Sequence, residues 1–85
     1  MTRDEACDVS GDDGLLFCDG FDDALIGVCE RFNMRPVACY DIQKMVDIMT
    51  RRDNCTYEEA IEYLEFNTFG AWVGEYTPAF LRTYP

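Results

Sequence analysis

The chain has no histidine and only one lysine, Lys44, among its 85 residues. Without histidine it lacks the side chain best suited to moving protons near neutral pH, and with it histidine-dependent triads and histidine-based metal sites. Lys44 falls on the surface of an expected helix and reads as a generic solvated lysine rather than a catalytic one. Bases are scarce overall: seven Lys and Arg face seventeen Asp and Glu, for a formal net charge of -10. Such a field repels nucleic-acid phosphate and anionic membrane surfaces. The expected partners are therefore neither nucleic acid nor membrane but a protein with a basic surface, whose encounter the charge would steer.

Long apolar runs are also missing, and none approaches the roughly 20 residues that span a bilayer. The opening MTRDEACDVSGDDG has neither a basic nor an apolar leader segment, so no secretion signal is expected. The five cysteines, Cys7, Cys18, Cys29, Cys39 and Cys55, are odd in number and contain no CxxC pair. They read as free thiols of a reducing cytoplasm and do not seed a thiolate zinc site. No catalytic residue, cofactor site or metal site is assigned from the sequence.

What is present argues for a fold. Hydrophobic residues make up 48% and aromatics 14%, which places the chain outside the disordered class despite its charge. Its length suits one modest core, with limited stability or support from a second subunit; a homodimer is compatible with this. The charge is uneven, with both ends acidic and residues 24–52 weakly basic.

Residues 1–14 are rich in Asp, Gly, Ser and Thr and are expected to form a flexible or loosely docked acidic arm, leaving 15–85 as the compact domain. In residues 24–32 one parity holds Ala24, Ile26, Val28 and Phe32, which predicts a strand. Asp22-Asp23 ahead of an apolar run is the signal for the competing reading, an all-helical bundle whose first helix spans 20–32. A turn at Asn33-Met34-Arg35-Pro36 and a second strand at Val37–Tyr40 complete an antiparallel hairpin.

Asp41 caps a helix to about Arg52 with the stripe Ile42, Met45, Val46 and Met49, and Asn54 supplies a left-handed exit. Thr56 and Glu59 form a capping box for a second helix reaching about Asn67. Tyr57, Ala60, Ile61, Leu64 and Thr68 share its packing side, and Glu58, Glu62 and Glu65 line another. Ala71-Trp72-Val73 suggests a short strand, and Ala79-Phe80-Leu81 a further extended piece that could lie against the hairpin. The expected architecture is α+β: a small antiparallel sheet packed against an α-helical hairpin.

Several constellations invite a functional reading. Asp8, Ser10, Asp12, Asp13 and Gly14 superficially resemble a calcium loop, but counting from Asp8 the sixth position is Asp13 rather than Gly and the twelfth is Asp19 rather than Glu. Asp19, Asp22 and Asp23 are dense enough for a divalent ion if a turn folds them inward, although capping and surface repulsion explain them more simply. The adjacent helices do not suit a helix-turn-helix DNA reader, because the second carries Glu58, Glu59, Glu62 and Glu65 without a base. The same carboxylates could instead imitate phosphates. Aromatic residues concentrate in the last third, and one core cannot absorb them all. The candidate protein-binding surface is therefore Glu58, Glu62 and Glu65 with Tyr63, Phe66 and Trp72.

Through Tyr40-Asp41, Arg51–Asn54 and TYEEAIEYLEFNTFGAWVGEYTP, the chain resembles small proteins of tailed bacteriophages and prophages, from Phe21-Asp22-Asp23-Ala24 to Phe80. At Arg52-Asp53-Asn54 those proteins carry an Asp-Gly turn, and Asn54 is compatible with the same left-handed cap. No activity attaches to the family, so the resemblance implies a setting, the host cytoplasm, and transfers no site. The expectation is a non-enzymatic accessory protein that binds and inhibits a host protein through its carboxylates. The alternatives are a homo-oligomeric virion or assembly component and, behind it, a divalent-metal-dependent module.

Overall fold

A computed structural model describes residues 1–83. The domain was expected to run to Pro85, so its last two positions lie outside the described residues. The elements are helix α1 (Arg3–Ser10), a 3-10 turn (Asp22–Ala24), strands β1 (Leu25–Cys29) and β2 (Val37–Asp41), helices α2 (Ile42–Arg52) and α3 (Tyr57–Leu64), a π-helical turn (Glu65–Phe69), and strand β3 (Ala79–Leu81).

The fold is α+β as expected, with a three-stranded sheet in the order β1-β2-β3 packed beside the interacting helices α2 and α3. β1 and β2 pair antiparallel, whereas β3 joins the other edge of β2 in parallel, Cys39 opposite Ala79 and Tyr40 opposite Phe80. A parallel neighbour needs a long crossover, and the two helices with the loop after them supply it. Hence Ala79-Phe80-Leu81 does return to the hairpin, and it runs alongside β2 rather than against it.

The amino-terminal segment departs from expectation. Within the segment expected to be a flexible or loosely docked arm, residues 3–10 form a helix with a complete capping box: the Glu5 N–H donates to Thr2 Oγ1 (3.1 Å) and the Thr2 N–H to Glu5 Oε1 (2.8 Å). Gly11, at φ 70°, closes it by donating to the Cys7 carbonyl. Ala6 is fully buried in the core, and the helix lies on β1. The polar composition hid this because one small apolar residue suffices to dock so short a helix.

β1 is a strand, so the all-helical alternative fails; of the expected parity Ala24 is buried and Val28 packs against the core, but Ile26 and Phe32 do not. The pairing shifts between Leu25 and Gly27, and such a bulge re-aims the following side chains. Leu25 is buried opposite Tyr40, while Ile26 is exposed and Phe32, beyond the strand end, is 92% exposed. α2 keeps the expected stripe, with Ile42, Met45, Val46 and Met49 buried and the Lys44 N–H donating to Asp41 Oδ1 (2.9 Å). Asn54 takes φ 56°, the left-handed exit the sequence required.

α3 opens on the expected Thr56–Glu59 box and then changes pitch. A π turn bonds five residues apart, which brings Phe69 rather than Thr68 above the buried Leu64, and Phe69 packs against Phe80 with ring centroids 4.7 Å apart. Ala71-Trp72-Val73 forms no strand. It belongs to a loop in which the Val73 N–H and the Gly74 carbonyl both bond Thr77 Oγ1, at 2.8 and 2.7 Å. At the centre of the core, Tyr40 is fully buried with its hydroxyl accepting the Cys18 N–H at 2.8 Å, so its one polar atom is satisfied.

Candidate functional site

Glu58 and Glu62 stand on α3 and Glu65 opens the π turn; all three are exposed. None takes part in an ion pair among the described residues. Glu59, beside them, is partly committed: the Thr56 N–H and hydroxyl hold its carboxyl below the usual range. Next to these acids Tyr63 is half exposed and Phe66 is 85% exposed. Tyr63, Phe66, Glu59, Glu62 and Asn67 line a shallow groove of about 510 Å³, and the Asn67 amide donates to the Tyr63 carbonyl across the helix end (3.1 Å).

The π turn helps explain why Phe66 is outside. The change of pitch spends Phe69 on the core contact with Phe80, and Phe66 remains beside Tyr63 on the outer side. An aromatic side chain left so exposed on a small domain is a surface feature worth explaining, because aromatic rings carry large desolvated contacts at interfaces.

The structure does not bring all six candidates together. Glu62, Tyr63 and Phe66 share the α3 groove, with Glu58 and Glu65 on the same short helical segment but outside its lining. Trp72, 77% exposed, lines a different groove of about 610 Å³ with Met34, Val37 and Pro78, beside the hairpin connection. Sequence reasoning missed Glu59 and Asn67 as groove residues because capping already accounted for one and a helix end for the other. It also missed Phe32 and Met34 as exposed apolar residues, having assigned Phe32 to the strand.

Several acids elsewhere are engaged, while Asp4, Asp8, Asp13, Asp23 and Glu30 have no side-chain partner among the described residues. Asp19 and Asp22, candidates for a divalent ion, both accept from Arg3, at 3.2 and 2.9 Å, and a guanidinium in that position competes with a cation. Asp12 accepts from the Tyr76 hydroxyl at 2.7 Å and from the Gly14 N–H, contacts that hold its carboxyl below the ordinary value. Arg35 in turn reaches Glu75 (3.1 Å) and the Tyr76 hydroxyl (3.2 Å). Among the described residues no three metal-binding side chains converge, and no helix is long and apolar enough to cross a membrane. The five cysteines are free.

Compared with family models, curated proteins and solved structures, the chain matches none.

Proposed function

We propose that this protein is a non-enzymatic accessory module, of bacteriophage type, that docks onto a basic surface of a host protein in the host cytoplasm and blocks it. The observation that supports this reading is the α3 segment, where unpaired Glu62 lines a groove with the exposed rings of Tyr63 and Phe66 and the unpaired Glu58 and Glu65 stand exposed on the same short segment. Carboxylates without internal partners keep their full attraction for an incoming cationic surface, and the rings add area that gains by losing water. Reversing Glu58, Glu62 and Glu65 together to lysine should abolish salt-sensitive capture of a stoichiometric partner from nuclease-treated host lysate while the circular dichroism spectrum is unchanged. A partner retained at full affinity by the folded triple variant would sink the assignment of this face.

A specific observation favours a second reading, assembly with further copies of the chain. The groove holding Trp72, Met34, Val37 and Pro78 is mainly apolar and lies away from α3. Sedimentation across a concentration series separates the two: a dimer that Trp72→Ala dissociates supports assembly, and a monomer at all concentrations removes it.

A further inference from the structure

Three arginines in this protein are held by one recurring device, a guanidinium placed over an aromatic ring and bonded at its edge to a carboxylate. Arg3 lies 5.1 Å from the Phe17 ring centroid and bonds Asp22 and Asp19. Arg35 lies 5.5 Å from the Tyr76 centroid and bonds Glu75. Arg52 lies 5.2 Å from the Phe21 centroid, with both Asp53 oxygens at 3.1 Å and the Gly20 carbonyl at 3.0 Å. The planar cation suits both contacts at once, since its face stacks while its N–H groups point outward in the ring plane.

The α3 groove contains the same ring and carboxylate parts and no arginine. Glu59 and Tyr63 are four residues apart, as are Glu62 and Phe66, which puts a carboxylate next to each ring along the helix. All four line one groove. The nearby Arg52 is bonded to Asp53 and Gly20 through Nε, Nη1 and Nη2 and is not part of the groove lining.

We infer that this groove is an anchor for an arginine side chain of the partner protein, stacked on Phe66 and Tyr63 and bonded by Glu62. The inference rests on the reading of α3 as the docking face and narrows its partner from a basic surface to one presenting arginine. A lysine ammonium satisfies the carboxylate but lacks a planar face and fork, so arginine is preferred to lysine at equal charge.

The test is titration of the intact protein, followed by amide NMR, with a short glycine-spaced arginine peptide and with its lysine and citrulline counterparts. Shifts confined to residues 59–67, an arginine affinity about two- to five-fold above lysine, and no citrulline binding are expected. Phe66→Ala should reduce arginine to the lysine level; the exposure of Phe66 lets that variant fold. Equal arginine and lysine affinities overturn the anchor while leaving the α3 docking face standing, if the shifts stay on α3. Shifts scattered over other acids, or none, overturn both.

Discussion

Replacing Tyr40 by phenylalanine probes the hydrogen bond on which the buried centre depends. The ring is fully buried and its centroid lies 6.2 Å from that of Phe80, so the isosteric ring keeps the packing and the change is confined to one oxygen. That oxygen accepts the Cys18 N–H at 2.8 Å. Losing the bond and leaving the donor unmatched costs about 1–2 kcal/mol at a partly buried amide, or roughly 4–16 °C in Tm for a domain of this size. The pH dependence gives a second, independent signature. Burial raises the phenol from 10.0 to about 12, so the folded protein holds this proton more tightly than the unfolded chain. Its contribution is complete below pH 10 and is lost as pH climbs toward 12. Phenylalanine cannot titrate, so the stability gap between the two proteins should narrow over that window. Thermal and urea unfolding at neutral and alkaline pH measure both effects. A variant matching the parent within error at neutral pH would refute the argument that this bond holds the segment around Cys18 to the sheet.

Gly20 sits at φ 85° with an added Cβ only 2.8 Å from Arg52 Nη1; Gly20→Ala should cost about 1–2 kcal/mol by thermal melt, whereas Gly27→Ala, with nothing within 4 Å, should be near neutral. Thr2→Ala removes the α1 cap and should cost about 1 kcal/mol, with faster hydrogen exchange at the Ala6 and Cys7 amides; unchanged exchange would restore the idea of a loose arm. Cys39, 8% exposed and pushed up to about 11 by burial and by the neighbouring Cys29 thiol, should be the slowest of the five cysteines to alkylate near neutral pH, as read by peptide mass spectrometry. Raising salt from about 0.01 to about 0.15 M shortens the screening length from about 30 to about 8 Å, below every dimension of the 38 × 26 × 22 Å molecule. Tm should therefore rise as self-repulsion fades, and a fall would mean that the arginine contacts outweigh it.

Where local chemistry decides structure, the sequence was legible. Asp41, Asn54, and Thr56 with Glu59 announce both ends of α2 and the start of α3 because capping is settled within four residues, and the α2 stripe needs only the helical period. The failures come where distant partners decide. Ile26 and Phe32 shared a parity on paper, but a bulge opposite β2 turns Leu25 inward instead. Ala71–Val73 has β propensity, yet the edge of β2 is taken by Ala79–Leu81 and leaves Trp72 in a loop. Thr2-Arg3-Asp4-Glu5 does carry a capping box, which the acidic composition of the segment obscured. At the candidate site the acidic helix face was visible from spacing alone. Its groove was not, because it depends on the π turn, which accompanies a tertiary contact of Phe69 with Phe80 of β3 that spacing along the chain does not encode.

How the few arginines are spent gives the surface its character. Arg3, Arg35 and Arg52 draw together segments far apart in sequence: α1 to the 3-10 turn, the hairpin connection to the loop before β3, and the end of α2 to Gly20. Each consumes acids that would otherwise repel, and in an exposed setting each pair contributes little by charge alone, so the ring beneath the guanidinium supplies contact that salt does not screen. With seventeen acids and seven bases, this allocation leaves a surplus of ten carboxylates. Spread evenly, that surplus would merely keep the protein dissolved. On α3 part of it, Glu59 and Glu62, is placed beside two rings that no arginine covers among the described residues. Arg3, Arg35 and Arg52 each cover a ring and bond an acid, whereas the α3 groove sets Glu62 beside Tyr63 and Phe66 with no arginine in its lining, the arrangement expected if the missing cation belongs to another molecule.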